Sequence, residues 1–336
     1  TFNSGTGFNS FTQDVETYND RLYIIGDFTT YNGQSYNRII RLNLDGSIDT
    51  TFNTGTGFNG LARTIIIQSD GKILVGGSFT SYNGTPANYI IRLNQDGSID
   101  NTFNYGTGFS GTLQGLTAVM DIVIDNNGKI YITGGFTTYN GSGGNNGIIR
   151  LNQDGSKDVA FDNSTGFNHF GTTIQVDKTT NKVYAGGYWD TYKGLDYRRI
   201  IRLNEDGSID TNFDSTFGFT SSPFNPEGIT VDSDDKVLLT GRFVLYDGST
   251  ENRILRLSQD GSKDVTFNNS TGFNNSAVGS VIDSLNRIYI GGSFTTYKGV
   301  TSNRIIRLNS DGSIDTSFNI GVGFDNQVSG RNLLLL

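Results

Sequence analysis

Six arginines are each followed, eight residues later, by an aspartate: Arg41/Asp49, Arg92/Asp100, Arg150/Asp158, Arg202/Asp210, Arg256/Asp264 and Arg307/Asp315. A guanidinium and a carboxylate at fixed spacing could serve catalysis, but an active site needs one such pair, and six copies read as structure. Each Arg lies in an Ile/Leu run, where a lone charge is costly and an aligned carboxylate offsets much of the desolvation. Other reactive side chains do not gather. With no Cys and one His, disulfides, thiolate sites and His-cluster metal sites are excluded and His-based catalysis is weakened. His169, in an Asn-His-Phe-Gly turn, is expected to be solvent-exposed. Asn43-x-Asp45-x-Ser47-x-Asp49 alternates oxygens as calcium loops do, yet it lacks their Gly and distal Glu, so turn chemistry is the better account. No metal, cofactor or catalytic residue is expected.

The Arg/Asp pairs bracket Asp-Gly dipeptides at Asp45, Asp96, Asp154, Asp206, Asp260 and Asp311, spaced by 51, 58, 52, 54 and 51 residues, which signifies a repeat architecture. Apolar runs flanking x-Asp-Gly predict a hairpin. A three-residue loop, Leu44-Asp45-Gly46, sets Leu42 opposite Ile48 and Arg41 opposite Asp49. A two-residue loop would place Leu42 against Asp49 instead, so the spacing favours a type I turn followed by a Gly bulge.

Each copy opens with Phe-Asn/Asp and a later Gly-Phe, as at Phe52 and Phe58. A first strand follows, then a turn with a basic residue (Arg21, Lys72, Lys129, Lys182, Lys236, Arg287). The second strand ends in Gly-x-Phe, its Gly suggesting a bulge or close backbone approach. Trp189 replaces that Phe once and reads as core. A Tyr-x-Gly turn, the Ile-Ile-Arg-Leu-Asn strand and a fourth strand after Asp-Gly complete the unit.

Composition sets the remaining bounds. The 336 residues contain 45 Gly and only three Pro, with 35% apolar and 17% charged residues, which suits many short strands and tight turns. A net charge of −8 opposes binding to nucleic acid. No apolar run is long enough to insert into a membrane. Starting at Thr1 without Met or a leader pattern, the sequence is expected to be a processed chain or part of a larger chain or assembly.

The fold class expected is an all-β propeller of four-stranded antiparallel blades in a single domain, 1–336. The repeats run approximately 1–50, 51–101, 102–159, 160–211, 212–265 and 266–316, with a partial one at 317–336. Seven blade positions are favoured, with a six-bladed ring as the alternative, because Val328–Leu336 matches the start of a further first strand.

The segments GSIDTTFNTGTGF, QSDGKILVGGSFTSYNG and NRIIRLNxDGSID resemble the delta-60 repeats of bacterial β-propeller proteins over essentially the whole chain. The resemblance implies secreted, cell-surface or phage-associated proteins whose repeats bind or scaffold, and it brings no catalytic residues. The expectation is a non-enzymatic extracellular module presenting loops to a glycan or protein partner. The alternatives are a virion or appendage component, and a polysaccharide-acting enzyme using carboxylates such as Asp190 and Asp196.

A specific site should lie where the copies differ. They differ at Ser142–Gly147, Tyr188–Arg199 and Ser221–Pro226, and in the column Asp27, Ser78, Gly135, Tyr188, Arg242, Ser293. They differ also in the loop after Tyr-x-Gly, with Tyr36, Pro86, Asn145, Tyr197, Glu251 and Thr301. Tyr188 and Tyr197 are candidates for an aromatic platform under a sugar ring, with Asp196, Arg198 and Arg242 as polar partners.

Overall fold

The computed structural model describes residues 2–214, 218–219, 225–328 and 333. Most of Val328–Leu336 and of Ser221–Pro226 lies outside these residues. The chain divides into two compact units, 1–166 and 167–336, each with three three-stranded antiparallel sheets.

In the first unit the sheets are Thr12–Tyr18/Arg21–Gly26/Ile39–Asn43, Ala62–Ile67/Ile73–Gly77/Ile90–Leu93 and Val119–Ile124/Ile130–Gly134/Ile148–Leu151. In the second they are Gly171–Val176/Val183–Gly187/Ile200–Leu203, Pro226–Val231/Val237–Gly241/Ile254–Leu257 and Ala277–Ile282/Ile288–Gly292/Ile305–Leu308. The middle strands read as continuous apolar runs because both faces are covered. Ile73 and Val75 pack with Tyr23, Ile25 and Ile39 of the preceding copy, whereas Leu74 packs with Val119, Ile122 and Ile130 of the next. In the second unit Tyr184 and Ile200 likewise meet Ile229 and Val237, and Leu238 and Ile254 meet Ala277 and Ile288.

The glycine that ends the middle strand answers both expectations made for it. A Cβ on Gly77 would lie 2.2 Å from the Leu61 carbonyl oxygen, and the register shifts there between Ala62 and Thr64. The first strand bulges against a residue that must have no side chain.

The blades are not four-stranded in the regular sense. After Asp-Gly the chain makes a single bridge, Leu42 with Ile48 in the first copy, and then turns away. Asp49 causes the turn: its backbone N–H donates to the Arg41 carbonyl at 3.0 Å, and its side chain accepts from the Thr51 N–H and hydroxyl. An aspartate capping its own turn competes with the ladder. The turn before it has the expected register, with the Asn43 N–H donating to Ser47 at 2.9 Å and the Gly46 N–H to Asn43 at 3.0 Å. Gly46 sits at φ +88°, and a Cβ there would meet the Asn3 carbonyl oxygen at 2.4 Å.

The Tyr-x-Gly turn closes a small hairpin, Thr30–Tyr31 with Gln34–Ser35 in the first copy, across Asn32 and Gly33 at positive φ.

Candidate functional site

The constant columns come first, because they show which polar groups remain for other work. All six Arg/Asp pairs form, at 2.6–2.9 Å between Arg Nε and the carboxylate. In the first copy Arg41 also donates to the Tyr23 hydroxyl at 3.2 Å, to the Thr51 hydroxyl at 2.6 Å and to the Gln95 carbonyl of the next copy. Its guanidinium lies 5.0 Å from the centre of the Phe52 ring. The Phe opening each copy is therefore the lid over the preceding copy's Arg, with Phe103, Phe161, Phe213, Phe267 and Phe318 in the same role.

The carboxylate has a second cation. Arg21, Lys72, Lys129, Lys182 and Lys236 reach Asp49, Asp100, Asp158, Asp210 and Asp264 at 2.7–3.5 Å, while Arg287 pairs with Asp283 instead. Burial by itself would raise the Asp100 carboxyl, but hydrogen bonds from the Thr102 hydroxyl and N–H and from Arg92 outweigh it and hold the group down at about 2. The Asp of each turn is likewise occupied: Asp45 accepts from the Ser47 N–H at 2.9 Å and hydroxyl at 2.6 Å. Among the described residues no group of three or more His, Cys, Asp or Glu could hold a metal ion.

The fourth copy differs. Tyr188 is half-buried, and its ring stands 4.7 Å from Phe170 and 5.8 Å from His169, whose own ring lies 4.5 Å from Phe170. Its backbone N–H donates to the Phe170 carbonyl at 3.0 Å, so the bulge of the first strand holds the two aromatics side by side. His169 is half-buried against these rings rather than solvent-exposed. Burial lowers the His169 pKa, with Arg199 acting in the same direction and Asp190 opposing. Asp190 pairs with Arg199 at 3.3 Å.

The other candidates are spread around this group. Tyr197 is half-buried after the small hairpin, its backbone N–H on the Asp190 carbonyl at 2.9 Å. Asp196 is exposed in that hairpin, opposite Thr191. Arg198 is exposed too, and its carbonyl accepts from the Phe219 N–H at 3.2 Å, a place held by an Asn such as Asn37 in other copies. Arg242 is 57% exposed at its side chain and pairs with Glu227 at 2.9 Å. Trp189 is fully buried and stacks on Phe167 with ring centres 4.4 Å apart, as core. The structure joins Tyr188 to Phe170 and His169, which column comparison left out. Their signal was the His-Phe pair at a position where other copies carry small or single apolar residues.

Repeated antiparallel blades packed face to face within each unit, with Arg41, Arg92, Arg202 and Arg256 each donating to a carbonyl of the next copy, define a β-propeller type of repeat protein. Residues 19–52, 68–103, 126–161, 179–213, 233–267 and 286–318 match the family described as Domain of unknown function (DUF5122) beta-propeller, and the chain belongs to that family. No curated protein matches it in sequence.

Among solved structures it is similar to a catalytically inactive virginiamycin B lyase from Staphylococcus aureus with quinupristin, at a TM-score of 0.50 and 19% identity over 92% of this chain and 85% of that one. It is also similar to the extracellular domain of a protein described as a one-component system from B. thetaiotaomicron, at a TM-score of 0.51 and 13% identity. That match covers 97% of this chain but 38% of the other. Identities this low show a common fold alone.

Proposed function

We propose that the chain is a non-enzymatic binding or scaffold module working outside the cytoplasm, a propeller of the delta-60 type with seven blade positions in one domain. One observation carries the binding part of this reading. The side chains common to all copies are consumed within and between blades, while the fourth copy alone sets a half-buried Tyr188 against Phe170 and His169, beside the Asp190/Arg199 pair. Flat rings flanked by a fixed carboxylate and guanidinium suit the apolar face and hydroxyls of a sugar, or a side chain of a protein partner. Sharing a fold with an extracellular domain is compatible with that location.

The test is a glycan array with the purified chain, followed by Tyr188→Ala and Tyr197→Ala singly and together. Loss with Tyr188→Ala supports the site, and undiminished binding by the double variant rejects it. Cleavage of an arrayed glycan that disappears in Asp190→Asn/Asp196→Asn would replace this reading with an enzymatic one.

A further inference from the structure

Copies three and five depart together from the others at three positions. Where other copies have Ile48, Ile99, Ile209 and Ile314, these carry Lys157 and Lys263. At the third residue of the opening segment that follows each of them, where the other openings have Ser4, Thr54, Tyr105, Ser215 and Ile320, stand Asn163 and Asn269. The third position is Asn145 in copy three and Glu251 in copy five.

Glu251 and Lys263 of copy five converge with Asn269 at the opening of copy six. Glu251 is fully buried, and its carboxylate accepts from Lys263 Nζ at 2.5 Å through Oε1 and from Asn269 Nδ2 at 2.8 Å through Oε2. The Asn269 amide is itself buried and is fixed by a second bond, from Nδ2 to the Ile254 carbonyl at 2.7 Å. An amine and a carboxamide thus share the two oxygens of one carboxylate, shielded from water. The Lys263 side chain is 40% exposed and reaches in from the surface.

We propose that Lys263 and Asn269 form an intramolecular isopeptide bond, with Glu251 as the proton carrier. Glu251 takes a proton from the Lys263 ammonium, and the free amine attacks Asn269 Cγ. The Nζ–Cγ bond forms as the Cγ–Nδ2 bond breaks. Glu251 returns its proton, and the second proton lost by Nζ also passes to the departing nitrogen, which leaves as ammonium. One lysine ammonium and one carboxamide become one secondary amide and one ammonium ion, with no oxidant, metal or water consumed. A carboxylate placed against both reacting groups is the positioned general acid–base that such a transfer needs, and the fold supplies the proximity.

Copy three is the internal control. Asn163 Nδ2 makes the corresponding bond, to the Ile148 carbonyl at 2.6 Å, but Asn145 stands where Glu251 does and its buried Oδ1 has no hydrogen-bond partner. With an amide in place of the carboxylate nothing carries the proton, so Lys157 and Asn163 stay separate.

Intact mass spectrometry of the full, folded chain tests the proposal. The expected mass is that of the sequence less one ammonia. Trypsin should fail to cut after Lys263 while still cutting after Lys157, and the missing ammonia should map to the peptide holding both Lys263 and Asn269. Glu251→Gln and Lys263→Arg should each restore the full mass. A wild-type chain of unmodified mass, cut after Lys263, overturns the proposal without any variant having to fold. Loss of ammonia that persists in Lys263→Arg overturns it too, since ring closure of Asn269 on its own backbone would then be the cause.

Discussion

The Tyr82 hydroxyl donates to the Gly97 carbonyl at 2.7 Å, from a ring that is 1% exposed. The small hairpin thereby holds the Asp-Gly turn of its own copy. The same bond joins Tyr31 to Gly46, Tyr139 to Gly155, Tyr192 to Gly207, Tyr246 to Gly261 and Tyr297 to Gly312. The turns at Asp45, Asp96, Asp154, Asp260 and Asp311 are gripped from the other side by their own copy's opening segment, as the Asn53 N–H donates to the Asp96 carbonyl at 2.9 Å. Turn, hairpin and linker are one unit, and cutting any bond should be felt in global stability.

Tyr82→Phe removes the hydroxyl and leaves a buried carbonyl without its donor. The expected loss is about 1 kcal/mol in urea unfolding, the usual cost of a neutral hydrogen bond. Tyr246→Phe should cost less, because its bond to Gly261 is already stretched to 3.4 Å. Equal losses would show that the rings, and not the hydroxyls, matter.

Gly97→Ala and Gly84→Ala separate two reasons for glycine. Both residues have positive φ, +88° and +75°, but a Cβ on Gly97 would meet the Asn53 oxygen at 2.5 Å while nothing lies within 4 Å at Gly84. Gly84→Ala should cost about 1 kcal/mol for the backbone alone. Gly97→Ala adds the collision and should cost clearly more, with the Asn53 linker displaced; matching midpoints for the two variants would count against the close approach.

Arg256→Met leaves the buried Asp264 with only Lys236, and a loss of about 3 kcal/mol is expected, the low end for breaking a buried pair. Arg307→Met should be milder. Asp315 is more exposed than Asp264, at 11% against 5% of its side chain, and this outweighs the lack of a second cation there, since Arg287 is engaged with Asp283. Chemical denaturation of the two variants side by side gives the order, and the reverse order would show that the cage is not what sets the cost.

Much of the blade was legible because it repeats within the chain. The Leu42/Ile48 register followed from asking which loop keeps apolar residues opposite one another, and Arg41 with Asp49 came with it. The fourth strand was over-read, since periodicity cannot show that Asp49 caps a turn after one bridge. Phe52 was visible only as the opening of a repeat, and its place as the lid on Arg41 was not, because a ring over a guanidinium has no sequence period of its own. In the fourth copy Tyr188 was visible as a departure from its column, but its partners Phe170 and His169 come from the turn before the first strand, Gly171–Val176, which the bulge in that strand brings alongside. The Glu251, Lys263 and Asn269 group was hidden likewise, its members lying in three different segments.

Acid should unfold the protein through the same carboxylates. Asp100 and Asp315 are held at about 2, and Asp49, Asp158, Asp210 and Asp264 also lie below the ordinary value. A carboxyl whose folded pKa is depressed binds protons more readily when unfolded. Its stabilisation is complete above the unfolded pKa of about 3.9 and drains away as pH falls through the folded value. Asp14 runs the other way: burial raises it, opposed by the Ile65 N–H, so its contribution grows on acidification. Asp235 is raised too, by burial and then by Asp177, and two such groups against six leave the balance with the depressed set. The urea midpoint should therefore change little from pH 7 to about 5 and fall steeply between about pH 4 and 2. Asp100→Asn should lower the midpoint at pH 7 and narrow the gap to the wild type at pH 2, because the variant has no charge to lose there. A gap that stays constant across that range would mean that Asp100 contributes by packing alone.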